Sequence, residues 1–192
     1  MLILASASPR RHQLLSELGF TFMVQPPHVD ESFEPGTPPA QVVQQLARRK
    51  AAAFAESELA GNVILAADTV VALEDEILNK PADAAEASAM LQQLSGRTHT
   101  VYTGISLRSA TQWVTLYDSA TVCFKALTEA ETCHYVQACN PIDKAGAYGI
   151  QEWIGLIGVT SVQGSYYTIM GLPTHLVWQT LNTPDFKTQA GL

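Results

Sequence analysis

The sequence predicts an α/β protein built around a mixed β-sheet. Segments typical of strands alternate with segments typical of helices along the whole chain, and hairpin patterns interrupt that alternation, so that parallel and antiparallel strands must share one sheet. Of the 192 residues, 47% are hydrophobic and 15% are charged, which is typical of a globular chain long enough to bury a sizeable core.

The first eleven residues predict a buried strand that turns directly into a helix. Leu2–Ala5 is an apolar run of strand length, Ser8 is a candidate N-cap and Pro9 a candidate first helical residue. Such a turn presents free backbone N–H groups and the positive end of the helix dipole. Arg10 and Arg11 lie in the same first turn, where the dipole disfavours cations. The pattern indicates either an anion-binding turn or two solvated surface arginines.

The next segments predict a strand, an acidic loop and a second helix. Residues 20–36 have the composition of a strand followed by a Pro-rich loop, and that loop carries Glu31. From this segment alone, a solvated acidic loop is the simpler interpretation. A helix follows over residues 37–54. Lys50 falls on its apolar stripe, where a lysine either extends to the surface or meets an anion.

The apolar run over residues 63–73 is unusual because Asp68 and Thr69 interrupt it. A carboxylate in a buried strand is unfavourable unless it is paired, hydrogen-bonded or bound to a metal. A polar turn follows, and a hairpin folded about it would return Lys80 to the level of Asp68 and Thr69. Asp68 therefore belongs either to a structural ion pair or to a functional site. The functional interpretation is favoured, since buried ion pairs stabilise poorly.

The remaining segments each predict one element, and Gly146 and Gly149 in the segment between the fourth helix and the hairpin permit close backbone approach. In chain order, we expect a helix from the Asp83–Glu86 capping box to Gly96, strands over 99–107 and 112–124, a helix from the Thr128–Glu131 capping box to about Cys139, a hairpin of strands 153–162 and 165–170, and a helix from Pro173. The tail from about residue 183 is expected to be frayed.

Composition and missing motifs argue against several classes of protein. A net charge of −7 without a basic face or tail argues against a binder of nucleic-acid polymers. No apolar run reaches the roughly 20 residues of a membrane span, and the N-terminal run is too short for a signal peptide. Three cysteines without a CxxC pair indicate small buried residues in a reducing compartment, so we expect a cytoplasmic protein. The chain has no Walker motif, no GxGxxG after a strand and no HExxH.

Six short motifs, taken together, resemble those of the Maf family of nucleoside triphosphate pyrophosphatases. They are Leu-Ala-Ser-Ala-Ser-Pro-Arg-Arg at the start, Leu-Ala-Arg-Arg-Lys, Ala-Ala-Asp-Thr-Val-Val, Asn-Lys-Pro, Leu-Ser-Gly-Arg-Thr-His and Asp-Lys-Ala-Gly-Ala-Tyr-Gly-Ile-Gln. Each motif alone is weak evidence. Six in family order, from residue 2 to about residue 173, are specific.

The resemblance implies a fold, a reaction and a cofactor. The fold would be one bilobed domain over residues 1–192, an elongated mixed sheet with flanking helices and two lobes around a central cleft, related to inosine triphosphatase. The reaction would be hydrolysis of dTTP and UTP, and of modified pyrimidine analogues, to the nucleoside monophosphate and pyrophosphate. The cofactor would be a divalent cation, Mg²⁺ or Mn²⁺. The resemblance also favours a homodimer.

The resemblance further implies roles for individual residues. By matching positions, Asp68 would be the proton acceptor, with Lys50 and Lys80 also catalytic; Arg10, Thr69 and Gln151 would govern substrate choice; Ser8, Arg11, Lys50 and Lys80 would bind phosphate; and Glu31 and Asp68 would hold the metal. Whether Asp68 acts as a base or mainly as a metal ligand stays open.

The residues themselves fit this assignment. An acidic protein must concentrate its cations locally to bind a triphosphate, and Arg10, Arg11, Lys50, Lys80 and Lys144 are candidates for that local field. The amide of Gln151 offers one donor and one acceptor, which match the N3–H and carbonyl edge of uracil or thymine.

Two alternatives stay open at this point. A branch of the same family acts on 7-methyl-GTP and carries an acidic residue at the end of the last motif, and here Glu152 directly follows Gln151. The family is also linked to septum formation, so a nucleotide-sensing regulator is the other alternative.

Overall fold

A computed structural model describes residues 1–190 and the side chains of residues 1–187, and it confirms the mixed sheet with flanking helices. The strands within those residues are β1 (Leu2–Leu4), β2 (Phe22–Val24), β3 (Val63–Leu73), β4 (Glu76–Leu78), β5 (Thr98–Arg108), β6 (Trp113–Phe124) and β7 (Val159–Gln163). They form one sheet in the order β2-β1-β3-β5-β6-β7, with β4 paired to β3. Strand β1 runs parallel to β2 and β3, whereas the β3–β4 and β6–β7 pairs are antiparallel.

Eight α-helices lie within the described residues. They are α1 (Pro9–Glu17), α2 (Pro39–Ala52), α3 (Ala84–Leu94), α4 (Glu129–Cys139), α5 (Trp153–Gly158), α6 (Tyr166–Met170), α7 (Thr174–Leu181) and α8 (Pro184–Ala190). Single 3₁₀ turns cover Glu56–Leu59, Pro141–Asp143 and Ala145–Ala147. None of the described helices is long and apolar enough to cross a membrane.

The chain divides into two compact units. The first comprises Met1–Asp68, Thr103–Asp118 and the chain from Gly171, and the second comprises Thr69–Tyr102 and Ser119–Met170. Strands β3, β5 and β6 therefore each contribute residues to both units. The single bilobed domain with a central cleft stays a prediction.

In the first unit, helix α2 lies directly on strand β5. A Cβ atom on Gly104 would sit 2.4 Å from the backbone oxygen of Val43, so only glycine permits this approach. The inner face of α2 continues into a buried cluster of β1, α2 and β3 side chains that includes Ile3, Ala51 and Ile64. This close packing fixes the height of α2 above the sheet.

Arg108 fixes the C-terminal end of α2. Its buried guanidinium donates to the carbonyl oxygens of Ala51, at 3.2 Å, and Phe54, at 3.0 Å, and it forms an ion pair with Glu56. A cation is favourable here because the last carbonyls of a helix lack intrahelical partners and carry the negative end of its dipole. Arg108, on strand β5, thus holds in place the helical turn that carries Lys50.

In the second unit, both predicted capping boxes mark real helix starts. Asp83 accepts a hydrogen bond from the Glu86 N–H, at 2.9 Å, at the start of α3. Thr128 and Glu131 complete a reciprocal capping box at the start of α4. That helix ends at Asn140, in the left-handed conformation.

The predicted hairpin over residues 153–170 is wrong. Its first half contains helix α5, only the segment Val159–Gln163 is a strand, and its second half is helix α6. The buried positions of α5 include Ile154 and Gly158, which are four residues apart as a helix face requires. A Cβ on Gly155 would lie 1.9 Å from the Ile150 oxygen, so the helix turns tightly against the preceding chain. A short apolar run does not reveal its period, and tertiary packing decides it.

Two further predictions need correction. The cysteines are free, but Cys133 is exposed and Cys123 and Cys139 are half-buried. On α4, which carries Cys133 and Cys139, the buried positions are instead Thr132, Tyr135 and Val136. The tail that was expected to be frayed forms helix α8, in which the Phe186 side chain is 1% exposed. Burial of the Phe186 ring stabilises the tail as a helix despite its polar composition. Residues 191–192 lie outside the described residues.

An aromatic cluster forms part of the core of the second unit. His99 on β5 makes edge-to-face contacts with Phe124 and Tyr148, with ring centroids 5.1 and 5.4 Å apart, and its Nε2 lies 2.7 Å from the Tyr148 hydroxyl. Its Nδ1 is buried without a hydrogen-bond partner in the described chain. Burial lowers the pKa of His99 to about 4.

We expect this histidine to weaken the fold in acid. Between pH 6.5 and about 4, the unfolded chain binds a proton at His99 that the folded chain does not, so the free energy of unfolding falls as the pH falls. The full loss from this group is about 3 kcal/mol. Urea unfolding at pH 7, 6, 5 and 4 measures it, with His99→Gln as the non-titrating control. Parallel pH curves for the two proteins would contradict this prediction.

Candidate functional site

The turn between β1 and α1 has the backbone that the sequence predicts. Ser8 is the extended N-cap residue and Pro9 the first residue of α1, and the Ser8 carbonyl accepts the first helical hydrogen bond from His12, at 3.1 Å. The Ser8 side chain makes no capping hydrogen bond. Instead, the Ser8 N–H donates to the hydroxyl of Ser6, at 3.2 Å. The Ser8 hydroxyl is thus not committed to the cap.

Arg11 is anchored by part of its guanidinium. Its Nε donates to the Gly171 carbonyl, at 2.8 Å, and its Nη1 donates to the Ser6 hydroxyl, at 3.2 Å. Burial lowers the pKa of Arg11, and the nearby charges of Asp68 and Glu31 oppose that shift. Arginine remains protonated in proteins. A fixed, partly desolvated cation therefore lies within electrostatic range of two carboxylates.

Lys50, Asp68 and Glu31 form the central charge cluster of the first unit. The Lys50 ammonium donates to Asp68 Oδ1, and it lies 2.7 Å from Glu31 Oε1. Lys50 and Asp68 are each 8% exposed, whereas the Glu31 side chain is 45% exposed. The sequence-based expectations that Lys50 lies on the inner side of α2 and that Asp68 is buried are confirmed. Asp68 pairs with Lys50, whereas the sequence suggested Lys80 as its candidate partner. Three separate segments, a loop, a helix and a strand, supply the three charges.

The loop that carries Glu31 is tied to helix α2 by Arg49. The Arg49 guanidinium donates to the carbonyl oxygens of Asp30 and Ser32, the two residues that flank Glu31. Asp30 in turn accepts from the Ser32 N–H, at 2.9 Å, which closes the loop on itself. Sequence reasoning missed Arg49. Its position immediately before Lys50 was the available signal.

The two carboxylates fit a divalent cation. Glu31 and Asp68 converge on one nitrogen atom, and carboxylate oxygens are the hard ligands that Mg²⁺ and Mn²⁺ prefer. Mg²⁺ is commonly held by one or two carboxylates, with water and phosphate oxygens in the other positions. No cluster of three or more His, Cys, Asp or Glu residues suited to a metal occurs among residues 1–190. Glu31 and Asp68 thus suit a cation whose other coordination positions are filled by water and by phosphate oxygens of a bound ligand.

The predicted site residues of the second unit lie at three places in the chain. Thr69 is half-buried on β3, next to Asp68 in sequence and on the opposite side of the strand. The predicted hairpin is confirmed, with Val71 opposite Leu78, and Lys80 is an exposed residue two positions after β4.

Gln151 and Glu152 occupy different environments. Gln151 is exposed, whereas Glu152 is half-buried, accepts a hydrogen bond from the Tyr135 hydroxyl and lies 3.3 Å from the Lys144 ammonium. Lys144 is 7% exposed and also pairs with Asp143, at 2.8 Å. The positive charge of Lys144 is therefore paired with Asp143 and Glu152 within the protein. Of the two adjacent side chains, only that of Gln151 faces outward.

The structure thus brings together part of the predicted set. Arg11, Glu31, Lys50 and Asp68 form one charge cluster in the first unit, and Ser8 and Arg10 lie on the first turn of α1 in the same unit. Thr69, Lys80 and Gln151 belong to the second unit.

Comparison with known proteins gives a consistent result. A family model described as "Maf-like protein" matches residues 1–183. A dTTP/UTP pyrophosphatase from Bacteroides thetaiotaomicron is 45% identical over 174 residues, 90% of each chain. A dTTP/UTP pyrophosphatase from Bacillus cytotoxicus is 47% identical over 89% of this chain and 88% of its own. One from Symbiobacterium thermophilum is 43% identical over 99% and 98% of the two chains.

A solved structure of the Staphylococcus aureus Ham1 protein also overlaps this chain. It covers 64% of this chain and 71% of its own length, with 15% identity and a TM-score of 0.43. That likeness is too weak to support an argument.

We expect Lys50→Met to destabilise the protein by about 3 kcal/mol, because it leaves the buried Asp68 carboxylate without its Lys50 partner. The double variant Lys50→Met/Asp68→Asn should recover part of that loss. The matched control is Lys125→Met, whose ion pair with Glu131 is more exposed and contributes less than about 1 kcal/mol. Denaturant unfolding of the four proteins provides the values, and equal losses in the two single variants would argue against a buried pair.

Proposed function

This chain belongs to the Maf family, and on that premise we propose that it is a pyrophosphatase that hydrolyses dTTP and UTP to the nucleoside monophosphate and pyrophosphate. Relatives that carry this activity in their names match it over most of their length. The observation that carries the proposal for this chain is the buried Lys50 ammonium bracketed by Asp68 and Glu31. Burying such charges contributes little to stability, so their presence in the interior favours a functional role.

We assign phosphate binding to three cations, Arg11, Lys50 and Lys80, and to the hydroxyl of Ser8. Arg11 is a guanidinium fixed by its bonds to Gly171 and Ser6, and a planar guanidinium is the group best suited to pair with phosphate oxygens. Ser8 adds a hydroxyl at the start of α1, where a helix favours an anion. Lys50 and Lys80 supply further positive charge. Together they concentrate cations in a protein whose net charge is −7.

A divalent cation, Mg²⁺ or Mn²⁺, would be held by Glu31 and Asp68. When bound, it would neutralise phosphate charge and lower the pKa of a coordinated water. Arg49 would keep Glu31 in place by holding the loop to α2.

Asp68 is the proposed proton acceptor. Its Oδ1 is bonded to Lys50, which leaves Oδ2 to orient a water and to take its proton as the water oxygen attacks the α-phosphorus. The bond from the α-phosphorus to its bridging oxygen breaks, and pyrophosphate leaves with the electron pair. Lys50, Lys80 and Arg11 would stabilise the charge that develops on the leaving group.

Substrate choice is assigned to Arg10, Thr69 and Gln151. The exposed amide of Gln151 can pair with the N3–H and carbonyl edge of uracil or thymine. Recognition of 7-methyl-GTP by an acidic side chain at this place in the chain gains no support, because the Glu152 carboxylate is bound to Tyr135 and Lys144. The homodimer, the cytoplasmic location and the septum-linked regulator stay predictions from the sequence.

The experiment that tests the function is pyrophosphate release from dTTP, UTP, CTP, dATP, GTP and 7-methyl-GTP. We expect release from dTTP and UTP with Mg²⁺ or Mn²⁺, and loss of that release when EDTA is added. Activity confined to 7-methyl-GTP would keep the chemistry and overturn the base assignment. Nucleotide binding without turnover would instead support a sensor.

We expect Asp68→Asn to fold normally and to lose at least about a hundredfold in kcat. The fold should survive because Lys50 keeps its ion pair with Glu31. Steady-state kinetics with dTTP and the thermal unfolding midpoint separate the two effects. Asp118→Asn, at a half-buried acid on β6 that has no assigned role in the reaction, is the control. Wild-type kcat in Asp68→Asn would remove this carboxylate from the mechanism.

A further inference from the structure

The chain that displays Gln151 is a tight turn. The Glu152 N–H donates to the Gly149 carbonyl, at 3.0 Å, so the four residues from Gly149 to Glu152 close a turn with Gln151 in its third position. Ile150 is buried, and Gln151 is exposed. The turn therefore anchors one central residue in the core and presents the next one outward.

A single side chain closes the same turn a second time. The Tyr135 hydroxyl accepts a hydrogen bond from the Gly149 N–H, at 3.0 Å, and donates its own proton to Glu152 Oε2. Tyr135 comes from helix α4 and is fully buried. Burial, together with the hydrogen bond to Glu152, raises the pKa of Tyr135, so the hydroxyl keeps its proton at physiological pH. One rigid phenol thus bridges both ends of the turn.

The half-buried Glu152 carboxylate is held by contacts with Gly149, Tyr135 and Lys144. A Cβ on Gly149 would lie 2.8 Å from Glu152 Cδ, so the carboxylate rests directly against the glycine backbone. The Lys144 ammonium, 3.3 Å from Oε1, balances its charge. Helix α5 begins immediately after Glu152, whose carbonyl accepts from the Gly155 N–H, at 2.9 Å. Its contact with Gly149, its ion pair with Lys144 and its hydrogen bond from Tyr135 together hold this side chain in one orientation.

We infer that Tyr135 and Glu152 are positioning residues that determine base selectivity by holding the Gly149–Glu152 turn, and with it Gln151, in one conformation. The inference rests on the proposed function of Gln151. A glutamine amide can rotate to present its donor and acceptor in either order, and the reverse order matches cytosine. A pocket rejects the wrong base only if its polar groups cannot rearrange to pair with it. Discrimination therefore requires that the surroundings hold the amide in one orientation, and they can do so only if the backbone at Gln151 stays in one place.

The decisive variant is Tyr135→Phe, which removes one oxygen atom and keeps the ring in the core. We expect the ratio of kcat/KM for UTP to that for CTP to fall roughly tenfold, mainly through a higher KM for UTP, while kcat changes little. Glu152→Ala should have the same effect. Glu152→Gln should restore most of the ratio, because its amide oxygen still accepts from the Tyr135 hydroxyl.

The matched control is Tyr148→Phe. This variant also removes a buried tyrosine hydroxyl from the second unit. The Tyr148 hydroxyl lies 2.7 Å from His99 Nε2, and that hydrogen bond does not involve the Gly149–Glu152 turn. Thermal unfolding of both variants measures the purely structural cost. The UTP-to-CTP ratio should stay at the wild-type value in Tyr148→Phe. Equal ratios in the two variants, with similar losses of stability, would overturn the inference.

Amide hydrogen exchange at Gly149 gives a second readout that needs no activity. The Gly149 N–H should be protected in the wild type and in Tyr148→Phe, and should exchange at least roughly tenfold faster in Tyr135→Phe. If the wild type releases pyrophosphate from no nucleotide, the proposed function fails, whereas the exchange rate still decides whether Tyr135 holds the turn. Unchanged exchange in Tyr135→Phe would overturn the inference even in an active enzyme.

Discussion

The buried ion pair of Lys50 with Asp68 imposes the main physical constraint on the first unit. Removing an ammonium and a carboxylate from water costs more than a single contact in the interior usually returns, so the pair must be held by structure that is stable for other reasons. Apolar packing of α2 on the sheet provides that structure. Gly104 sets how closely the helix approaches β5, and Arg108 satisfies the carbonyls at the helix end.

The same packing explains why an acidic protein can offer a cationic site. Several of its 11 lysines and arginines are used for structure: Arg108 at the end of α2, Arg49 on the acidic loop, and Lys144 beside Glu152. Arg11, near the first turn of α1, and Lys50, near the end of α2, are the cations of the first unit that we propose for phosphate binding. Local placement therefore matters more than net charge for binding a triphosphate.

The second unit uses a different means of placing a functional side chain. Around Lys50, charged groups from three segments of the chain face each other. Around Gln151, the neutral phenol of Tyr135 and the carboxylate of Glu152 hold the backbone, and the amide proposed to read the base is exposed. The first arrangement suits charge that changes during a reaction. The second suits recognition, which requires that the geometry stay constant.

Much of this could be predicted from the sequence, because it depends on local pattern. Asp68 is visible as a charge inside an apolar run, Lys50 as a charge on an apolar stripe, and the starts of α3 and α4 as capping boxes. Each signal lies within a few residues of the group it concerns, and the period of a helix or strand carries it.

What the tertiary structure alone decided depends on residues that are distant in the chain. The pairing of Asp68 with Lys50 and Glu31, the inward orientation of Glu152, the helix at Trp153–Gly158 and the order of the tail around Phe186 all follow from such contacts. A six-residue apolar run fits a helix or a strand equally well, and only its neighbours remove the ambiguity. Sequence thus determined which groups are candidates for the chemistry, and tertiary packing determined which groups meet, because contact between distant segments is a property of the whole fold.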